Sequence, residues 1–424
     1  MNPPGHVVVV GASLAGLRAV QTARELGYAG RLTLVGSEVH LPYDRPPLSK
    51  EFLDPGGAET HLLPDSARLA GELAVRVRTG TTATALDVPG HVLTAAAADG
   101  TAEDLHYDAV LVATGARPRS LPGVGRLAGV HQLRTLDDAT AIRSSLDRGA
   151  RTVVVGAGFI GAEIGSAAVR RGLVPVLVEA AETPLVRAVG ARGGHALAAL
   201  HERHGAQLLC GVGVTRLLGT DQVEGVELSD GREIPADLVV VGIGADPATE
   251  WLAGSGLTVD NGLVCDSSLR AGPDVWAAGD VARWTNPLFD RSMRLEHWTN
   301  AGDQAAHAMA NLLDPASARP YDHVPYFWSD WYGQRIQFAG LPVGEPEVVM
   351  GTWDAEAFVA LYRDGDRLVG ALALNRRGDI MKFRALIGAG GSWQAALDLA
   401  ARRNAAPARP SGPRGRAPAT APSA

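Results

Sequence analysis

The chain begins its regular pattern with His6-Val-Val-Val-Val-Gly-Ala-Ser-Leu-Ala-Gly16. Its run of valines meets a turn of small residues and continues into a pattern rich in Ala and Leu, which predicts a strand, a tight turn and a helix. A second strand is predicted at 31–35, and Glu38 follows it, where βαβ units carry an acid for a ribose hydroxyl. Ser13 occupies the usual second glycine position, so this fingerprint departs from the pattern at one residue.

The same pattern returns, with all three glycines, in Thr152-Val-Val-Val-Gly-Ala-Gly-Phe-Ile-Gly161. Glu179 ends the valine-rich strand that follows. Small residues in such a turn let the backbone approach a pyrophosphate, whose charge is stabilised by the N–H groups and the dipole of the helix N-terminus. Two βαβ units in one chain, each with its acid, therefore predict an α/β fold with two dinucleotide sites.

Glu179 also indicates which nicotinamide cofactor the second unit binds. A carboxylate at this strand end accepts hydrogen bonds from the ribose hydroxyls of NADH, whereas it repels the 2′-phosphate of NADPH. Residues 180–182 offer no cation for a phosphate, although Arg187 lies close behind them. The sequence therefore favours NADH.

Composition limits the remaining possibilities. With 424 residues, of which 46% are hydrophobic and 20% charged, the chain can form two or three domains with buried cores. Only six residues precede Val7 and no apolar run is long enough to cross a membrane, so we expect a cytoplasmic protein. Cys210 and Cys265 are too far apart in sequence for a Cys-x-x-Cys redox or metal site. Residues 401–424 hold five arginines and no acids, and we predict a disordered tail without a function.

Five further stretches carry a resemblance to a known family. They are Leu41-Pro-Tyr-Asp-Arg-Pro-Pro-Leu-Ser-Lys50, Leu111-Val-Ala-Thr-Gly-Ala-Arg-Pro118, Val275-Trp-Ala-Ala-Gly-Asp-Val281, Glu296-His-Trp-Thr-Asn-Ala301 and Val324-Pro-Tyr-Phe-Trp-Ser-Asp330. From about residue 7 to about residue 399 the chain resembles the FAD-dependent ferredoxin reductases that serve oxygenases and cytochromes P450, the putidaredoxin reductase family. These proteins have the pyridine nucleotide-disulfide oxidoreductase fold, here without its redox cysteines.

The resemblance implies a glutathione-reductase-like architecture of two Rossmann-like dinucleotide-binding domains and a C-terminal α+β domain. An FAD-binding domain would comprise residues 1–114 and 245–320, with an NADH-binding domain at 115–244 between its two parts. A C-terminal interface domain would follow at 321–400, with strands predicted at 335–339 and 369–374 and a helix at 392–401. Both a monomer and a homodimer remain open.

The resemblance also implies the residues of the site. Those expected to hold FAD are Gly11, Ser13, Leu14, Ala15, Gly16, Glu38, Arg45, Lys50, Ala113, Thr114, Gly115, Arg134, Gly279, Asp280, Glu296, His297 and Trp298. Those expected to hold NADH are Gly156, Gly158, Phe159, Ile160, Gly161, Glu163, Glu179 and Gly244. Four are expected at the centre of catalysis, with Lys50 beside the flavin and paired to Glu163: Lys50, Glu163, Trp298 and Trp328.

Plainer interpretations exist for the central residues. Lys50 and Glu163 could be solvated surface charges, Asp280 could be a helix cap, and each tryptophan could be an ordinary core aromatic. Hydride transfer itself needs no side chain as acid, base or nucleophile, because it depends on the placement of nicotinamide and flavin.

The expected activity is electron transfer from NADH through FAD to a [2Fe-2S] ferredoxin, which supplies a cytochrome P450 or a ring-hydroxylating oxygenase. Arg291, Arg294 and Arg335 are predicted to contribute to a docking surface for this acidic partner. The alternatives are a flavoprotein that reduces a quinone, oxygen or another small acceptor, and a redox binding protein like apoptosis-inducing factor. Disulfide reduction is disfavoured, because Leu48-Ser-Lys50 has no cysteine where relatives with that activity carry one. Neither a nucleic acid nor a membrane is an expected partner.

Overall fold

The computed structural model describes residues 3–57, 63, 68–121 and 127–405. The α-helices in these ranges are α1 Leu14–Glu25, α2 Leu136–Asp147, α3 Phe159–Val169, α4 Val186–Arg203, α5 Trp298–Leu313, α6 Arg377–Gly388 and α7 Trp393–Ala405. None of them is both long and apolar enough to cross a membrane. The predicted disordered tail is wrong for residues 401–405, which complete α7, and its remaining part lies outside the described residues.

A six-stranded sheet is built around the first glycine-rich stretch. Its central strand, His6–Val10, pairs in parallel with Arg31–Val35 on one side and Ala109–Val112 on the other. The valines are fully buried because α1 and α5 pack on the sheet, and side chains of a small antiparallel sheet, such as Leu86 and Leu93, join the same core. In spatial order the strands are Arg270–Gly272, Val275–Ala277, Ala109–Val112, His6–Val10, Arg31–Val35 and Val75–Arg78. This sheet thus takes strands from both sides of the second βαβ unit.

The second βαβ unit forms its own parallel sheet of five strands. In spatial order they are Gln207–Cys210, Val176–Glu179, Thr152–Val155, Leu238–Val241 and Val130–His131. Helix α2 begins with a capping box, in which Thr135 and Asp138 each accept a hydrogen bond from the backbone N–H of the other. An antiparallel pair, Ala116–Pro118 with Ala245–Pro247, connects this unit to the first.

Three smaller antiparallel or mixed sheets complete the two units. Their strands are Thr81–Asp87, Val92–Ala97 and Ala102–His106 in one, Val214–Leu218, Gly225–Leu228 and Glu233–Pro235 in another, and Leu263–Cys265, Ala282–Asn286 and Arg291–Arg294 in the third.

The last part of the chain is a five-stranded antiparallel sheet with α6 and α7 on one face. Its strands are, in spatial order, Tyr326–Trp331, Gln334–Gly340, Arg367–Leu374, Phe358–Asp364 and Glu347–Met350. The two predicted strands are present, each two residues longer, and the predicted terminal helix begins one residue later and ends four residues later. The opposite face packs on α3 and α4 through Trp331, Phe338 and Tyr362. Two parallel α/β units and an α+β unit confirm the predicted fold class.

Candidate cofactor cleft

In both glycine-rich turns, the glycines at the first and third positions are required because a Cβ there would clash with the backbone. Gly11 has φ +120°, and a Cβ there would lie 2.1 Å from the carbonyl oxygen of Ala113. A Cβ on Gly16 would lie 1.9 Å from the carbonyl oxygen of Gly11, so α1 packs directly against its own turn. The two turns end the central strands of the two parallel sheets, where ligands bind in folds of this type.

One cavity, of about 1660 Å³, is lined by both turns and by the edge of the C-terminal sheet. Of the residues predicted for the site, all but Gly16 and Gly161 lie in its wall. Those two support the turns from behind, since a Cβ on Gly161 would lie 2.1 Å from the carbonyl oxygen of Gly156. The structure therefore brings the predicted residues together, although they come from segments as distant as 11 and 328 in the sequence.

Glu38 and Arg45 form an ion pair on the side of the first turn. Arg45 Nε also donates to the Ser13 hydroxyl at 3.0 Å, and Arg45 Nη1 donates to the carbonyl oxygen of Arg134 at 2.5 Å. Tyr43 donates its hydroxyl to Glu38, and burial raises the pKa of this phenol far above its usual value. Ser13, in the second glycine position, thus connects the first turn to the loop at 41–50, because its hydroxyl accepts a hydrogen bond from Arg45.

Lys50 and Glu163 are paired in the depth of the cleft. Lys50 Nζ lies 2.9 Å from Glu163 Oε1, and only 15% and 4% of the two side chains are exposed. Their burial excludes the interpretation as solvated surface charges. Ser49 and Ser329 also donate their hydroxyls to the Glu163 carboxylate, a pair of contacts that sequence reasoning missed. Both serines lie within stretches that carry the family resemblance, and that is the signal that could have found them.

The turn at Gly279 and Asp280 faces the first βαβ unit. Asp280 lies 3.5 Å from Arg134, and its side chain is 16% exposed. Gln304 in α5 accepts a hydrogen bond from the backbone N–H of Gly279 at 2.8 Å, which fixes the turn from behind. Thr114 anchors the neighbouring segment by donating to the carbonyl oxygen of Ala248 at 2.8 Å.

The start of α5 brings Glu296, His297 and Trp298 to the wall. Burial lowers the pKa of His297 to about 4, and the nearby His323 adds to this effect, so the imidazole is neutral at pH 7. Trp298 is 41% exposed and donates its indole N–H to Asp44 at 2.8 Å, which excludes a core role for it. Trp328 packs partly into the C-terminal core, with its ring 5.9 Å from that of Trp298.

The second turn presents Phe159 and Ile160 at the start of α3, with Gly244 on the opposite wall. Glu179 accepts hydrogen bonds from the backbone N–H groups of Ala157 and Ala181, both at 3.0 Å. These bonds hold the carboxylate at the strand end beside the turn.

One predicted docking residue is corrected by the structure. Arg294 is only 11% exposed, pairs with Glu296 at 2.8 Å and donates to the carbonyl oxygen of Asp280 at 3.0 Å. It belongs to the wall of the cleft and presents no charge to a large partner. Arg291 is 50% exposed, 3.7 Å from Asp364, and Arg335 is 25% exposed and paired with Asp330.

Comparisons with known proteins place the chain in a family. Residues 5–305 match the pyridine nucleotide-disulphide oxidoreductase family, and residues 326–403 match the reductase C-terminal family. Rhodocoxin reductase of Rhodococcus erythropolis is 37% identical over 90% of this chain and 89% of its own length. Putidaredoxin reductase of Pseudomonas putida is 34% identical over 89% of this chain and 90% of its own length.

Solved structures agree with these matches. The ferredoxin reductase from Rhodopseudomonas palustris superposes with a TM-score of 0.86 at 34% identity, covering 95% of this chain and 100% of that one. The covalent putidaredoxin reductase–putidaredoxin complex matches with a TM-score of 0.86 at 31% identity, covering 96% of this chain and 100% of that one. The chain therefore belongs to the pyridine nucleotide-disulphide oxidoreductases, among the ferredoxin reductases of oxygenase systems.

Proposed function

We propose that this protein takes a hydride from NADH and passes electrons through FAD to a [2Fe-2S] ferredoxin that supplies an oxygenase. The observation that carries the proposal is that two dinucleotide turns open into one cavity, with Lys50 and Glu163 between them. The printed names of the relatives, which include rhodocoxin and putidaredoxin reductases, support a ferredoxin as the acceptor.

In this assignment the first turn and its surroundings hold FAD. The backbone at residues 11–15 and the start of α1 would bind the pyrophosphate, because helix N-terminal N–H groups attract anions. Glu38 would accept hydrogen bonds from a ribose, and Asp280 from hydroxyls of the ribityl chain. We assign residues 1–114 and 245–320 to this FAD domain, an assignment supported by the six-stranded sheet that both parts share.

NADH would bind at the second turn, within a domain of residues 115–244. Gly158 faces open space in the cavity, so the backbone there can approach a pyrophosphate. Phe159 and Ile160 would cover the nicotinamide end, and Glu179 would accept bonds from the adenosine ribose. Residues 321–400 would form the third, C-terminal domain.

Lys50 would act on the flavin as a fixed positive charge. When bound, FAD supplies the chemistry that joins a two-electron donor to a one-electron acceptor. Reduction adds negative charge to the flavin, and a buried ammonium group stabilises that charge more strongly than a solvated one does. Glu163 pairs with this ammonium group, and Ser49 and Ser329 hold the Glu163 carboxylate in place.

Two features of the cleft bear on the acceptor: the absence of a thiol from its wall and the side chains at its rim. The sequence has two cysteines, and neither lies in the cavity wall, so no thiol is available for disulfide chemistry. At the rim, the Trp328 ring centroid lies 5.9 Å from that of Trp298 and 5.9 Å from the guanidinium of Arg335. Aromatic residues and arginine are enriched in protein interfaces, so this rim would suit a protein partner.

The test is a stopped-flow titration of the purified protein with NADH and then with NADPH, followed by a [2Fe-2S] ferredoxin. We expect fast loss of the oxidised flavin absorbance with NADH, slow loss with NADPH, and recovery when ferredoxin is added. Recovery only with a quinone or oxygen would refute the ferredoxin, and protein without bound flavin would refute the whole assignment.

A further inference from the structure

Ser329 connects the C-terminal sheet to the ion pair in the cleft. Its side chain is fully buried and donates its hydroxyl to Glu163. The indole N–H of Trp331 donates in turn to the Ser329 hydroxyl at 2.7 Å. The backbone N–H of Asp330 also points to the same carboxylate, at 3.4 Å. Glu163 is thus held by the C-terminal strand on one side and by Ser49 and Lys50 on the other.

The strand Tyr326–Trp331 that carries Ser329 also reaches the rim of the cleft. Side chains alternate along a strand, so Trp328 and Asp330 lie on the face opposite to Ser329. Trp328 lines the cavity, and Asp330 binds Arg335. One strand of six residues therefore supplies side chains both to the rim of the cleft and to the buried carboxylate of Glu163.

The hydroxyl of Ser329 matters because Glu163 has almost no water around it. A carboxylate that is 4% exposed has its charge balanced by nearby donors alone. A hydrogen bond to an ionised group is stronger than one between neutral groups. Loss of the Ser329 hydroxyl would leave the negative charge of Glu163 less compensated. This charge would then offset more of the positive charge that Lys50 presents to the cleft.

We propose that Ser329 is a positioning residue that, through Glu163, sets how strongly the Lys50 charge favours reduced FAD. This inference rests on the assignment of FAD to the cleft. It makes the redox equilibrium of the cofactor depend on a strand of the C-terminal domain.

The experiment is an equilibrium titration of the FAD-bound protein against a reference redox dye, followed by absorbance and without ferredoxin. In Ser329→Ala, we expect the ratio of reduced to oxidised FAD to fall roughly tenfold at a given dye ratio, equivalent to about 30 mV for a two-electron couple. Ser329→Thr, which keeps the hydroxyl, should restore most of the equilibrium. Ser329→Cys, similar in volume with a weaker donor, should shift it in the same direction as Ala.

A double-mutant cycle identifies the route of the effect. In a Glu163→Gln background the Ser329 hydroxyl has no carboxylate to which it can donate. Adding Ser329→Ala should therefore change the ratio of reduced to oxidised FAD less than twofold. Ser166→Ala is the matched control, because Ser166 is also fully buried at this interface but accepts a bond from the backbone N–H of Tyr332, at 2.7 Å. It should leave the equilibrium unchanged even where it lowers thermal stability.

Three results would overturn the proposal: no shift in Ser329→Ala, an equal shift in the Glu163→Gln background, or an equal shift in Ser166→Ala. Failure of the proposed acceptor gives a different result. Ferredoxin would then leave reduced protein unoxidised, while the dye equilibrium would still respond to Ser329→Ala.

Discussion

At the scale of single residues, one carboxylate has a fixed position in the cavity wall. Glu179 is held by two backbone N–H groups, at 3.0 Å each, so its charge stands at a defined place beside the second turn. A charge that the backbone fixes cannot turn away from an approaching phosphate. Arg187, in the same cavity wall, is the nearby cation that would favour a phosphate. We therefore expect the balance between the charges of Glu179 and Arg187 to determine the preference between NADH and NADPH.

We expect Glu179→Gln to lower the preference for NADH over NADPH about tenfold, measured as the ratio of the two kcat/KM values. Two unit charges at about 4 Å with an effective dielectric of about 20 repel by about 4 kcal/mol, and solvent in an open cleft reduces this figure. Glu182→Gln is the control, since it removes the same charge from a residue outside the cavity wall. An equal change in both variants would indicate an effect of net charge and refute the local one.

Residues of this kind differ in how well a sequence reveals them. Glu38 and Glu179 could be predicted because each lies at or just after the end of the second strand of a βαβ unit. Ser49 and Ser329 have no such local pattern, and their shared partner, Glu163, is more than 100 residues from either in sequence. Arg294 was wrongly predicted to lie on the docking surface, because a charged residue is usually exposed. In the fold it lies in the wall of the cleft, paired with Glu296.

At the scale of elements, the second glycine-rich turn uses its glycines in two different ways. A Cβ on Gly161 would approach the carbonyl oxygen of Gly156 to 2.1 Å, so α3 can pack on its turn only with glycine there. A Cβ on Gly158 would meet no protein atom within 4 Å, because this glycine faces the cavity. Gly161 is therefore required by the packing of the turn, whereas Gly158 is not, and we expect Gly158 to leave room for a cofactor.

Alanine at these two positions should separate folding from binding. Gly161→Ala should reduce the free energy of unfolding by about 1–3 kcal/mol, the usual cost of overpacking. Gly158→Ala should keep the wild-type melting temperature but raise the KM for NADH roughly tenfold, because the added methyl group meets the cofactor. Thermal unfolding and steady-state kinetics measure the two effects. Equal losses of stability in both variants would show that neither glycine is specific to binding.

At the scale of the whole molecule, three units surround one cavity and each supplies part of its wall. The first two are joined by the strands Ala116–Pro118 and Ala245–Pro247, and Arg119 bridges to Asp246 at 2.7 Å beside this pair. The C-terminal sheet covers the cleft from the third side and brings Trp328 and Arg335 to its rim. The cavity thus opens between the first two units, and the C-terminal sheet forms part of its rim.

If the rim is the docking surface, reversing a charge there should weaken ferredoxin binding without slowing reduction by NADH. We expect Arg335→Glu to raise the KM for ferredoxin about fivefold to tenfold at low salt and to reduce its salt dependence, because complementary charges act mainly on encounter. Turnover with ferricyanide should stay at the wild-type rate. Arg151→Glu provides the matched control: Arg151 is 58% exposed and pairs with Asp237 at the opposite end of the second sheet. An equal increase in KM for both variants would mean that total charge, and not this rim, attracts the partner.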